Sequence, residues 1–270
     1  MLAFLLLLLI GIVSATFGSI VGLGGGIIIV PSLIYIGPMF LDRDIPTNVA
    51  VGTSLAVLIL TALSSTLTYY RQKRIDFRSG WLYFLTSGPA AMLGASLTGM
   101  FEAKRFELAF GIFMLFMALL MVARDYMKPV TIDWKIKRTF TDAKGESSQY
   151  GYNLPAALLI GFFVGMISGL FGIGGGSLFV PAMVLLFGYP PHVATATSMF
   201  VIFLSSILGS VTHVALGEVD WFSAAALGPG ALIGGWFGAR IASRMSGKGL
   251  LWLLRVTLFL FAARMIIGAF

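Results

Sequence analysis

Two stretches decide how this chain reads: Gly22-Leu23-Gly24-Gly25-Gly26, followed by Val30-Pro31, and Gly172-Ile173-Gly174-Gly175-Gly176, followed by Val180-Pro181. Both lie in long charge-free runs: no Asp, Glu, Lys or Arg occurs from Leu2 to Leu41 or from Ser147 to Gly217. A spanning helix needs about 20 apolar residues to cross about 30 Å of hydrocarbon. The two glycine clusters therefore sit at membrane depth, where three successive glycines are poor helix formers and allow positive φ.

The composition agrees. Of 270 residues, 58% are hydrophobic and 11% charged, against about 45–50% apolar and about 25% charged in a typical soluble domain. This excludes an ordinary soluble enzyme, a disordered chain and a disulfide scaffold. The chain has no Cys, hence no disulfide, thiolate nucleophile or Cys-ligated metal site. The net charge of +7 reports topology and contact with the lipid bilayer rather than nucleic acid. The start, Met1-Leu2-Ala3-Phe4, lacks a basic signal-peptide region and reads as a retained first helix.

The apolar runs are continuous rather than alternating, so the fold class is all-α, a polytopic helical membrane protein. The expected helices are about 2–22, 26–40, 48–70, 80–101 and 106–124, then 153–171, 176–188, 194–216, 221–243 and 249–268. A polar loop at 126–152 carries Lys128, Asp133, Lys135, Lys137, Arg138, Lys144 and Glu146. It divides the chain into a first transmembrane repeat (1–125), a cytoplasmic linker (126–152) and a second repeat (153–270).

The halves match at more than the glycines. Ala50-Val51-Gly52-Thr53-Ser54 pairs with Ala194-Thr195-Ala196-Thr197-Ser198. Asp76-Phe77 pairs with Asp220-Trp221, and Gly88-Pro89 with Gly94 pairs with Gly228-Pro229 with Gly234. If each glycine cluster only kinks one long helix, there are eight spans and the halves are parallel. If it separates two segments, there are ten and the halves are inverted. Inversion with the N-terminus outside leaves Arg43, Lys104, Arg105 and Arg264 on the outer face. It gathers Arg71, Lys73, Arg74, Arg78, Arg240, Arg244, Lys248 and the basic linker inside, the stronger positive-inside bias. A single helix from Leu2 to Leu41 would also be about 60 Å long, twice the hydrocarbon thickness. Inversion is the expectation, with 176–188, too short to cross fully, as a half-helix.

A helix broken at membrane depth is tolerated where it is buried or lines a cavity. The segments after each break start as new helices, with unpartnered N–H groups and a positive dipole end. Without a Cβ, an anion can approach such a start closely. Paired Gly-interrupted segments in two halves point to a transporter's binding site; the alternative is close helix packing. The candidate substrate-binding residues are Gly24, Gly25, Gly26, Gly174, Gly175 and Gly176, with the hydroxyls of Thr53, Ser54, Thr197 and Ser198. Those hydroxyls could instead bond helix backbone. Asn48 and His192 stand at matching positions as N-caps or loop residues. His213 falls late in an apolar span and is a possible proton relay, or else a neutral histidine bonded between helices; its counterpart in the first half is Tyr69.

No zinc motif is present, two histidines cannot ligate two haems, and the Gly165–Gly169 spacing departs from a nucleophile elbow. No catalytic residue, metal or cofactor is expected. An intramembrane serine hydrolase built from Ser198 or Ser168 with His213, and an anion channel, stand as alternatives to a carrier. With its paired Gly-x-Gly-Gly-Gly…Val-Pro motifs and the later Thr-Ser and Gly-Pro landmarks, nearly the whole chain resembles the sulfite exporter TauE/SafE family, also called the toluene sulfonate uptake permease family. The resemblance implies a multi-pass plasma-membrane transporter of small sulfur-containing anions such as sulfite and sulfonates, with no enzymatic cofactor. It leaves the particular anion and the direction open.

Overall fold

The computed structural model describes residues 2–40, 44–101, 103–126, 134, 136–141 and 147–268. The helices are α1 (Leu2–Val21), α2 (Gly26–Phe40), α3 (Thr47–Arg71), α4 (Phe77–Leu97), α5 (Ala103–Tyr126), α6 (Leu154–Phe171), α7 (Gly176–Leu185), α8 (Pro191–Ala215), α9 (Trp221–Arg244) and α10 (Gly247–Gly268). A 3₁₀ turn, Thr98–Met100, follows α4. Four of these helices, α1, α3, α6 and α8, are long and apolar enough to cross a membrane. The expected helices are all present, with starts moved by a few residues. Prolines place two of the starts: Pro46 caps α3, and Pro190-Pro191 opens α8, where Pro191 needs no N–H. Asn48 and His192 consequently lie inside the first turns of α3 and α8, not at their caps.

The linker is a correction. Within it, β1 (Ile136–Thr141) and β2 (Ser147–Tyr152) form an antiparallel pair, Ile136 opposite Tyr152 and Thr141 opposite Ser147. Thr139, Phe140, Gln149, Tyr150 and Tyr152 include the β-branched and aromatic types that fit a pleated surface. Arg43, Lys128, Asp133, Lys135, Lys144 and Glu146, which entered the charge reading, lie outside the described residues.

The halves exchange their first helices. On α9, a Cβ at Gly230, Gly234 or Gly238 would overlap the carbonyl oxygens of Leu8, Ile12 and Thr16 on α1. On α6, a Cβ at Gly161, Gly165 or Gly169 would meet the carbonyls of Tyr83, Ser87 and Ala91 on α4. One glycine per helical turn lets two backbones touch, the small-residue packing of membrane helices. Each half's first helix thus lies along the other half's fourth.

The central pair is α3 with α8. Gly52 of α3 lies against His213, Leu55 against Gly209, and the end of α3 leads to Asp76, whose N–H meets Thr197 early in α8. The two helices are repeat counterparts and run antiparallel, so the halves are inverted. One end of the bundle gathers the described basic residues Arg71, Lys73, Arg74, Arg78, Lys137, Arg138, Arg240, Arg244 and Lys248. The other carries Lys104, Arg105 and Arg264. The positive-inside bias is the ground for taking the first as the cytoplasmic end.

The chain has no native Cys, so single cysteines report this directly. Lys248→Cys should react with an impermeant maleimide only from the cytoplasmic side and Lys104→Cys only from outside. Labelling of both from one side would refute the inverted arrangement.

Candidate functional site at the two glycine breaks

The turn between α1 and α2 contains Gly22, Gly24 and Gly25 at φ +81°, +84° and +99°; the turn between α6 and α7 contains Gly172, Gly174 and Gly175 at φ +69°, +75° and +72°. Any other residue would be strained at these angles. The two breaks touch. A Cβ on Gly26 would overlap the Gly172 carbonyl oxygen, and a Cβ on Gly176 would overlap the Gly22 carbonyl oxygen. Gly24 and Gly174 both face Leu58 of α3 and Ile202 of α8, themselves repeat counterparts at mid-helix. The expected glycines are therefore brought together about one pseudo-twofold axis.

The N–H groups of Gly25, Gly26 and Ile27, and of Gly175, Gly176 and Ser177, reach no acceptor beyond their own local turns among the described residues. All six residues are buried. Two side chains at the second break share this condition: the hydroxyls of Ser168 and Ser177 are buried and unpartnered. Unsatisfied buried donors of this kind are rare in folded proteins. Ser177 was not expected from the sequence; its position in the first turn after a glycine break was the signal.

The predicted hydroxyls are present but engaged. Ser54 donates to the Gly172 carbonyl and Ser198 to the Gly22 carbonyl, both at 2.8 Å, so each half's long helix holds the other half's break. The Asp220 N–H donates to Thr53 Oγ1 at 2.8 Å, and the Asp76 N–H to Thr197 Oγ1 at 3.0 Å. All four residues are fully buried. Beside Gly25 the free space is a cavity of about 10 Å³, too small for a sulfur oxyanion; the breaks are closed in this conformation.

The threonines fix the starts of α9 and α4, which Asp220 and Asp76 also cap by accepting from the Ser223 and Ser79 N–H groups at 3.3 Å. Sequence reading used these aspartates as repeat landmarks and missed the cap. An Asp three residues before a Ser at a helix start was the available signal.

The two ends of the site differ. At the cytoplasmic end the hairpin clasps Asp76: Tyr150 donates to its carboxylate at 2.7 Å and Arg138 pairs with it at 3.1 Å. The Gly151 N–H donates to the Phe187 carbonyl at 3.1 Å, and the Tyr150 and Tyr189 rings lie 3.8 Å apart. One hairpin thus bridges α4 of the first half and the α7–α8 connection of the second. Burial and the neighbouring Asp76 carboxylate push the Tyr150 hydroxyl far above its ordinary pKa, so it remains a donor at all physiological pH. A cavity of about 300 Å³ opens beside the hairpin, lined by Arg78, Lys137, Arg138 and Tyr152.

Neither Ser198 nor Ser168 hydrogen-bonds His213, whose Nδ1 is engaged by Glu218 at 2.7 Å. The geometry of a serine nucleophile with its base is thus not assembled among the described residues.

An inverted helical repeat with paired broken helices at mid-depth defines a membrane transporter. The comparisons carry this to a family: a profile described as Sulfite exporter TauE/SafE matches residues 7–265, and the chain belongs to that family. It is 46% identical to the probable membrane transporter protein YunE of Bacillus subtilis, over 98% of both chains. It is 27% identical to the probable membrane transporter protein YjnA of the same organism, over 90% of this chain and 92% of that one. A probable membrane transporter protein of Methanocaldococcus jannaschii is 29% identical over 77% of this chain and 72% of its own. No solved structure matches.

Each hydroxyl bridge should contribute about 1 kcal/mol. Ser54→Ala and Ser198→Ala should each lower the Tm of the purified protein by a similar few degrees. Arg138→Ala, which leaves the buried Asp76 carboxylate without its cation, should lower it more than either.

Proposed function

We propose that this chain exports small sulfur-containing oxyanions, sulfite or organosulfonates, as a secondary transporter working by alternating access. The anion is held between the two glycine breaks. The observation that carries this reading is the opposed pair of buried N–H sets, without an acceptor beyond their own turns among the described residues, at the starts of α2 and α7. Two helix N-termini aimed at one volume supply positive potential and donors without a basic side chain. An oxyanion presents several acceptors in a small radius, which suits six N–H groups and the free hydroxyls of Ser168 and Ser177.

The site must open to be filled. Rocking one half against the other would separate Gly26 from Gly172 and Gly176 from Gly22. It would also release Ser54, Ser198, Thr53 and Thr197, whose hydroxyls then turn to the anion. An open pore is disfavoured because Leu58 and Ile202 fill the axis between the breaks. Sulfite and sulfonate as the substrate class come from the family's description; dipole and N–H recognition alone would accept other small oxyanions.

Proteoliposomes should take up labelled sulfite saturably, with competition from organosulfonates and sulfate. Gly25→Val and Gly175→Val, which strain the two turns and crowd Ser14 of α1 and Val164 of α6, should abolish uptake and sulfite binding in protein that stays monodisperse. Large non-saturating currents would favour a channel, and unchanged affinity in both variants would remove the glycine site.

A further inference from the structure

At the outer end of α8, a carboxylate, an imidazole and an amide form a cluster. His213 is fully buried, and its Nδ1 lies 2.7 Å from Glu218 Oε2. The other Glu218 oxygen accepts from Asn48 Nδ2 of α3 at 2.8 Å. The remaining ring nitrogen, Nε2, is buried and has no hydrogen-bond partner. By the repeat, the backbone group opposite the ring is Gly169 of α6, three residues before the second glycine break. A neutral imidazole donating through Nδ1 to Glu218 turns a bare lone pair towards a carbonyl oxygen, which repels it. A proton on Nε2 would supply a donor there, with Glu218 as the counter-charge, and a small approach of α6 would close the hydrogen bond.

The first half shows what the completed link looks like. The counterpart of His213 is Tyr69, and the counterpart of Gly169 is Ser19. Tyr69 donates to the Ser19 carbonyl at 2.7 Å. A phenol keeps its proton, so the first half carries this brace permanently. The second half has an imidazole in its place.

We propose that His213, held by Glu218 and Asn48, is a proton-binding site facing the outer mouth. The proton lands on Nε2 and bonds the end of α8 to Gly169, and its release frees α6 and the second break to move. This rests on the transport reading and deepens it: proton binding at one mouth then biases which mouth is open. Among the described residues, the groups facing the ring are Glu218, the neutral Asn48, the backbone of Gly52 and the Gly169 carbonyl. The 3₁₀ turn contributes Gly99, next to Glu218 Oε1, and no ionisable group. Lys104 and Arg105, at the start of α5, are exposed.

The chain has two histidines, so ¹⁵N-histidine NMR of the full protein in nanodiscs, with His192→Asn as assignment control, reads this site alone. We expect the His213 ring to take up a proton as the pH is lowered. Glu218→Gln should lower the midpoint and abolish proton movement accompanying a sulfite gradient in proteoliposomes loaded with a pH dye. Proton movement should also be lost in His213→Gln, while sulfite uptake in His213→Tyr should become independent of outer pH. A His213 ring that stays in one protonation state as the pH is lowered overturns the proposal. So does sulfite-driven proton movement that survives His213→Gln. If His213 titrates but no variant or wild type moves sulfite, the proton site stands and the sulfite reading falls.

Discussion

The structure depends on one steric constraint: two broken helices cross at the middle of the bundle with their backbones in contact. Gly26 has the Gly172 carbonyl where a Cβ would be, and Gly176 has the Gly22 carbonyl. Neither break could sit there alone, because each presents unpartnered carbonyls and N–H groups at a depth without water. The Ser54 and Ser198 bridges satisfy the carbonyl at the start of each break from the opposite half. Inversion follows from the same fact, since each break is completed by α3 or α8 of the other half, and those helices run antiparallel. The glycine rows joining α1 to α9 and α6 to α4 hold the exchange at its edges.

On this symmetric frame the two mouths are chemically different. At the cytoplasmic mouth, Arg74 lies 3.2 Å from His192 Nδ1; at the outer mouth, the counterpart of Arg74 is Glu218, bound to Asn48, the counterpart of His192. The hairpin clasps Asp76; its counterpart Asp220 caps α9 and donates its N–H to Thr53. A two-state carrier with identical mouths would have no intrinsic bias between them. Differential contacts in the two states set that bias, and these asymmetric contacts lie at the mouths rather than at the breaks.

The parts of this arrangement that were legible in the sequence are those enforced locally. Charge-free runs fix the spans, and three glycines in a row break a helix whatever surrounds them. The repeat was legible because residues such as Thr53 and Thr197 occupy equivalent places. The illegible parts are those where a residue's partner comes from the other half. Nothing near Ser54 announces that its hydroxyl is spent on Gly172, 118 residues away. Glu218 reads as a loop charge until the fold sets it between His213 and Asn48. The hairpin was missed because its strands are polar, short and set among charges, so their alternation did not rise above a loop's composition.

The choice posed by the glycines, close packing or a binding site, dissolves in this geometry. The absence of a Cβ lets the breaks touch each other, with Leu58 and Ile202 packed beside them. On the proposed mechanism, what competes with an anion is the other break. Opening removes the two serine bridges and the two threonine contacts, each worth about 1 kcal/mol. The sum is a few kcal/mol, the gap at which a minor conformer is populated at a percent or less. An anion that replaces those contacts with charge-assisted bonds, about twice as strong as neutral ones, can repay that gap. On the proposed mechanism the closed contact and the anion therefore compete for the same two donors, the Ser54 and Ser198 hydroxyls.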